Sequence, residues 1–332
     1  MHPILSLLGA LLVMFTCYDA IQTTLAASKS GPMTTRLVEG IWHILLRLHR
    51  RNHLPGMLQA SGPWVTMGLI ISWVALIWLG WWLVFCGGTY AVVSSSTGDS
   101  ASWVERAYFV GYTITTLGYG DQVPGEALWQ LLSVMAAANG LLLFTLAVTY
   151  VLSIVSGVTQ KRQLAVSIHT MGLSPQAMLE RTRGDGDYAE LAERADQLSG
   201  TIVNVGQQHL AFPIIHYYHD TVVDRSLPLA LARLHQALSV TYLCCPELPG
   251  SVRLKLDMTL YAMESYINVL SRFVSPSEER PEVPPGALAP MPECDRDEAG
   301  LHACLNELDA QRYLKAYVEK DGWRWAEVWH AQ

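Results

Sequence analysis

Two long runs without a charged residue, Trp64 to Phe85 and Leu128 to Val155, constrain the 332-residue chain more than any other feature. They contain 22 and 28 residues, and about 20 apolar residues rising 1.5 Å each are enough to cross a bilayer. Both read as membrane spans, the second tilted or projecting beyond the hydrocarbon. A third run, Pro3 to Ala27, is interrupted by Asp19 and Gln22. Ala26-Ala27-Ser28 has the small residues of a cleavage site, but Met1-His2-Pro3 lacks the basic start of a signal peptide, so this run also reads as a span. An ionisable group at that depth needs a partner or a water path, and Lys29 and Arg36 are its nearest basic candidates.

Charge orients these spans. The stretch from Ser28 to Pro63 carries Lys29, Arg36, Arg47, Arg50 and Arg51 against Glu39 alone, which predicts a cytoplasmic loop and an N-terminus outside. The loop after the second span holds Asp99, Glu105, Asp121 and Glu126 with Arg106, and Lys161-Arg162 follow the third span. Three crossings with the C-terminus inside a cell membrane satisfy every bias. Trp64 at one end of the second span and Trp81 and Trp82 at the other read as interfacial belts, a reason that does not extend to Trp73 or Trp78. Leu37, Ile41, Ile44, Leu45 and Leu48 recur at helical spacing, as in a helix lying along the inner surface.

The chemistry lies between the two uncharged spans. Ser102 followed by Glu105 is a capping box, so a short helix starts there and runs to about Thr113. Such a helix must enter the membrane and return, which is tolerated only where the backbone after it is buried in protein or lines an aqueous cavity. A dehydrated cation needs oxygens in place of its lost water, and backbone carbonyls supply them. Successive carbonyls aim at one axis only if dihedrals alternate in hand, and Gly118 and Gly120 have the spacing for it. The Thr116 hydroxyl adds one further ring of oxygens. One chain contributes a quarter of such a cage, so a homotetramer is expected.

With these residues in view, the chain resembles the potassium channel pore domain over about residues 64–157: outer helix 64–86, pore helix 103–114, filter 115–121 and inner helix 127–157. The run Thr115-Thr116-Leu117-Gly118-Tyr119-Gly120-Asp121 matches the family filter, with Leu117 where valine is commonest. The resemblance implies K+ sites at the Thr116 hydroxyl and at the carbonyls of Thr116, Leu117, Gly118 and Tyr119. It implies that Asp121 lies behind the outer mouth, that Tyr108 and Phe109 form an aromatic cuff, and that Gly140 is a gating hinge. Tyr112 stands where some members place a glutamate that pairs with the aspartate, so that pairing is missing. A packing role for Gly140 competes with the hinge. Helical spacing assigns Asn139, Leu143, Ala147 and Tyr150 to the cavity wall.

The remaining part, 158–332, reads as a cytoplasmic, all-helical regulatory domain. Residues 1–160 balance six basic against six acidic side chains, so the excess of seven negative charges belongs to residues 161–332. Helices are expected from Pro175, over Tyr188 to Leu210, Leu227 to Cys244, Val252 to Val274 and Glu298 to Lys320, with a Pro-rich linker at 275–292. Trp323, Trp325 and Trp329 then dock the terminus. Gly184-Asp185-Gly186-Asp187 lacks the preceding strand of a dinucleotide fingerprint. His209, His216, His219 and Asp220 form the one polar cluster with a metal-like pattern, short of a ligand that His235 or Asp257 would have to supply. Six cysteines show no metal spacing and read as packing residues.

The chain is therefore expected to be an all-α membrane protein, a potassium channel that conducts passively and is not an enzyme. K+ is the permeant ion, no cofactor is needed, and an unidentified cytoplasmic ligand or protein acts on the tail. The low content of basic residues speaks against nucleic acid. Two alternatives stay open on sequence alone: a non-conducting signalling scaffold built on a channel fold, and a membrane-anchored hydrolase using the histidine cluster.

Overall fold

The computed structural model describes residues 2–26, 30–52, 61–245, 247–284 and 298–330. The chain divides into two compact units, with the boundary after Ile154. Among the described residues, three helices are long and apolar enough to cross a membrane: α1 (Pro3–Leu25), α3 (Ser61–Cys86) and α5 (Ala127–His169). The first unit also contains α2 (Pro32–Asn52), the short α4 (Trp103–Ile114), and a two-stranded antiparallel ribbon of β1 (Val92–Ser94) and β2 (Gln122–Pro124). The ribbon register pairs Val92 with Pro124 and Ser94 with Gln122. It has no alternating signal in the sequence, because strands this short carry almost no period.

α1 lies antiparallel to α3. The His2 amide donates to Gly87 O at 2.8 Å, the Ser6 hydroxyl to Val84 O at 3.0 Å, and near the other end Trp73 Nε1 donates to Asp19 Oδ2 at 3.0 Å. Small residues permit this approach, since a Cβ on Gly9 would meet Gly80 O at 2.4 Å. Asp19 is fully buried, and among the described residues its partners do not include Arg36; Lys29, the other expected base, lies outside the described residues. The Asp19 carboxylate accepts from the amides of Met33 (2.8 Å) and Thr34 (3.2 Å), from the Thr34 hydroxyl (2.6 Å) and from Trp73. Asp19 thus caps the first turn of α2, where a carboxylate also meets the positive end of the helix dipole.

Other expectations need correction. Trp81 is buried, and its indole bonds Asn139 rather than the membrane interface. α2 is longer than the surface helix read from its apolar spacing, and it turns Thr34 and Val38 inward. The side chains of Leu45, Leu48, Arg47, Arg50 and Arg51, together with residues 27–29, lie outside the described residues. α5 runs past the expected end of the inner helix, to His169.

The second unit is helical throughout its described residues: α6 (Pro175–Thr182), α7 (Ala189–Ala211), α8 (Leu227–Cys244), α9 (Gly250–Leu270), α10 (Glu298–Glu307), α11 (Asp309–Lys320) and α12 (Ala326–Trp329), with 3-10 turns at Pro213–Tyr217 and Val223–Arg225. Every residue of α8 from Leu227 to Thr241 is buried, as for the central helix of a bundle. The last long helix is broken at Leu308 rather than continuous. The first part of the expected linker is pinned to α11, because Ser277 exchanges backbone and guanidinium bonds with Arg312; residues 285–292 lie outside the described residues. Trp325 and Trp329 are buried, and the Trp325 indole donates to Glu282 O.

Candidate functional site

The site is organised by α4, which at twelve residues is about 18 Å long and too short to cross a bilayer. Ser102 and Glu105 close the capping box in both directions, the Ser102 amide reaching Glu105 Oε2 at 2.7 Å. One turn on, Arg106 is buried and turns back on the chain before it. It donates to the carbonyls of Ala101 (2.9 Å), Phe85 (2.9 Å), Gly88 (2.7 Å) and Thr89 (2.7 Å) and to the Ser100 hydroxyl (3.2 Å). A guanidinium has five N–H donors in a fixed fork, and here carbonyls satisfy it without an acidic partner. Trp78 and Trp82 of α3 add indole bonds to Ala107 O and Trp103 O, and the first of these accounts for a tryptophan that the belt pattern left unexplained.

At the end of α4 the backbone changes hand at every second residue. Thr116, Gly118 and Gly120 have φ of 60°, 60° and 79°. The amides of Leu117 and Gly118 turn back to Tyr112 O, at 2.8 and 3.4 Å. Among the described residues, no donor reaches the carbonyls of Thr116, Leu117, Gly118 or Tyr119. Glycine adopts the left-handed region at no steric cost, but threonine does not. The glycine rule therefore found two of the three positions. Thr116 was legible only from the parity that continues backward from Gly120.

Behind this segment lies an aromatic wall. Tyr119 stacks on Tyr108 at 6.1 Å and meets Tyr112 edge-on at 5.8 Å, while Phe109 packs between Tyr112 (5.5 Å) and Phe85 (5.1 Å). Tyr112 does not replace the missing glutamate by binding Asp121; its hydroxyl donates to Gln122 O. The Tyr108 hydroxyl faces the Asp121 carboxylate instead. The Asp121 backbone is held by the Ser95 amide at 3.0 Å, so the ribbon fixes the far end of the loop. The Thr115 hydroxyl caps α4 through Gly111 O at 2.8 Å. Leu117 and Tyr119 are 63% and 66% exposed in the single chain, large apolar surfaces that this chain does not cover.

Beneath the loop a cavity of about 310 Å³ is lined by Thr115, Thr116, Ile114, Leu143 and Phe144, among others. Gly140 approaches the end of α4 so closely that a Cβ would lie 2.1 Å from Ile114 O. That contact requires glycine without any hinge. The expected cavity face of α5 is largely turned inward. Asn139 accepts from Trp81 Nε1 (3.0 Å) and donates to Cys17 Sγ (3.0 Å), joining α1, α3 and α5. Tyr150 is buried on Trp73 at 5.9 Å, and Ala147 is buried with them. Of the four expected residues, Leu143 borders the cavity, beside Gly140, Leu141 and Phe144. The exposed positions here include Leu141, Leu142, Phe144, Thr145, Val148, Thr149 and Leu152.

No group of three or more His, Cys, Asp or Glu able to hold an ion occurs among the described residues. His216 stacks between Phe273 (6.0 Å) and Tyr317 (6.1 Å), and His219 bonds Asp321 at 2.6 Å. Asp220 is bound by Arg162 at 2.6 Å. His209 packs on Tyr266, and burial with the nearby Lys161 charge pushes it down to about 3. Burial likewise drives His216 well below the ordinary imidazole range. His209 and His216 are thus neutral core histidines. The Gly184–Asp187 segment follows a helix, α6, and forms a turn in which Asp187 caps the Ala189 amide at 3.1 Å.

Residues 71–157 match the family described as Ion channel. Over 278 residues the chain is 30% identical to the uncharacterized membrane protein YdjJ of Bacillus subtilis (strain 168), a match covering 83% of this chain and 81% of that protein. No solved structure matches the chain.

Proposed function

The chain belongs to the ion channel family of multi-pass membrane proteins, and from that premise we propose that it is a potassium-selective channel assembled from four copies. The reading is carried by one observation: left-handed φ at Thr116, Gly118 and Gly120, on a run whose four carbonyls from Thr116 to Tyr119 accept no hydrogen bond among the described residues. Alternation of hand is the backbone requirement for carbonyls that replace a hydration shell. A partially dehydrated ion enters at the Thr116 hydroxyl and passes the carbonyl rings to Tyr119, and repulsion between neighbouring ions drives exit. Such passive transfer requires no catalytic group. The exposed faces of Leu117 and Tyr119 support assembly, because three further copies would cover them.

The N-terminus faces outward and the tail lies in the cytoplasm, in keeping with the basic Ser28–Pro63 stretch and with the antiparallel run of α1 and α3. The tail regulates opening; in support, α5 continues as one helix from Ala127 to His169. K+ efflux from liposomes containing the purified protein tests the proposal. Flux that disappears in Gly118→Ala, from particles that cross-link as tetramers, supports it, and absence of flux from intact tetramers refutes it. Deleting residues 170–332 should alter open probability, and an unchanged value removes the regulatory role.

A further inference from the structure

The second unit contains a cleft of about 870 Å³ between α8, α9 and the α10–α11 junction, within the range of small-molecule sites. α9 presents Asp257, Tyr261 and Glu264 along one stripe, and the break at Leu308 places Glu307 and Asp309 on the opposite rim. Among the described residues, none of these four carboxylates forms an ion pair and no Lys or Arg lines the cleft.

His235 lines the same cleft although its residue is only 5% exposed. Its Nδ1 meets Ser239 and Gln311, both at 3.3 Å, which leaves Nε2 without a partner among the described residues. Burial pushes this imidazole down to about 4, so at neutral pH it adds no positive charge. The Tyr242 ring already carries the Arg253 guanidinium 4.6 Å from its centroid, while Tyr261 and Tyr313 remain as aromatic walls. Tyrosine faces attract organic cations. The carboxylates do not converge as a metal site would, and the volume is far larger than one ion.

We propose that this cleft binds an aliphatic di- or polyamine, its ammonium groups on the Asp257–Glu264 and Glu307–Asp309 rims and its methylene body between Tyr261 and Tyr313. The chemistry fits a flexible polycation: separated anionic rims with an apolar, aromatic floor between them. Uncompensated carboxylates are tolerated on an exposed rim, but four around one cleft favour a ligand of opposite charge.

Calorimetric titration of the full-length protein with spermidine tests the site, because it reads binding without reference to ion flux. Saturable binding is expected, weakened at least tenfold in Asp257→Asn/Glu264→Gln and also in Tyr261→Leu, with unchanged gel-filtration elution of each variant. Mg2+ at equal ionic strength should compete poorly. Absence of saturable heat overturns the proposal. So does binding that Mg2+ displaces as effectively as a second amine, which would be charge screening. Binding that survives the cleft substitutions but is lost in Thr116→Ala would assign the amine to the pore, and again overturns the cleft site.

Discussion

The loop from Thr116 to Tyr119 and helix α8 treat their polar groups in opposite ways. In the loop, four successive carbonyls accept nothing from the described residues, and Leu117 and Tyr119 stay more than half exposed. In α8 every position from Leu227 to Thr241 is buried, and each polar side chain forms at least one bond inside the chain. Arg233 donates to the carbonyls of Glu327 (2.8 Å) and Val328 (3.3 Å) and lies 3.0 Å from His169 Nε2, while Gln236 donates to Gln311. Folding of one chain thus supplies most of the polar partners of this helix, with Gln236 Oε1 left unbonded among the described residues. The single chain leaves the pore loop open, and in the proposed channel ions and further copies of the chain complete it.

The comparison breaks most severely at Gly118. A Cβ there meets no neighbour, yet φ of 60° makes any L side chain strained, at about 1–2 kcal/mol per copy. Gly118→Ala is expected to abolish K+ flux while the tail keeps its protease resistance. Flux retained at the parental level would show that the alternation of hand does not matter. Asp19→Ala comes next. It leaves the Met33 and Thr34 amides, the Thr34 hydroxyl and the Trp73 indole without their acceptor, a loss on the order of 3 kcal/mol. A lower unfolding temperature in detergent is the expected readout, with Asp19→Asn less affected.

Acid should loosen the tail. Burial holds His209 at about 3 and His169 and His235 at about 4, all below the ordinary 6.5. As pH falls below 6.5, the unfolded chain takes up these protons first, so each histidine removes stability, up to about 1.4 kcal/mol per pH unit, until its folded value is reached. Protease sensitivity of the second unit should rise steadily from pH 7 to pH 5. A flat profile would show that these imidazoles are not neutral and buried. The smallest effect is expected for Leu117→Val, which changes a side chain exposed in the single chain and leaves the backbone hand intact. K+ selectivity should be unchanged in flux measurements.

How far such features can be read from sequence depends on how far apart their partners lie. Ser102 and Glu105 meet within one turn, and Leu227-Pro228 marks the start of α8, so both elements were legible. Gly118 and Gly120 were legible because their need is a backbone one. Asp19 and Trp73 are 54 positions apart, and Trp81 and Asn139 are 58 apart. No local pattern joins them, so neither the Trp73 bond to Asp19 nor the Trp81 bond to Asn139 could be read from the sequence. Arg106 escaped notice because its partners are carbonyls, which leave no residue-type signature. The break at Leu308 is likewise invisible in a sequence whose apolar spacing continues across it.

The central claim is that four copies of the Thr116–Tyr119 backbone select K+, and reversal potential tests it most directly. With KCl on one side of a planar bilayer containing the purified protein and an equal concentration of NaCl on the other, the current should reverse far from zero, on the side set by K+ permeation. Reversal near zero would mean that Na+ passes as readily as K+, and would contradict the account.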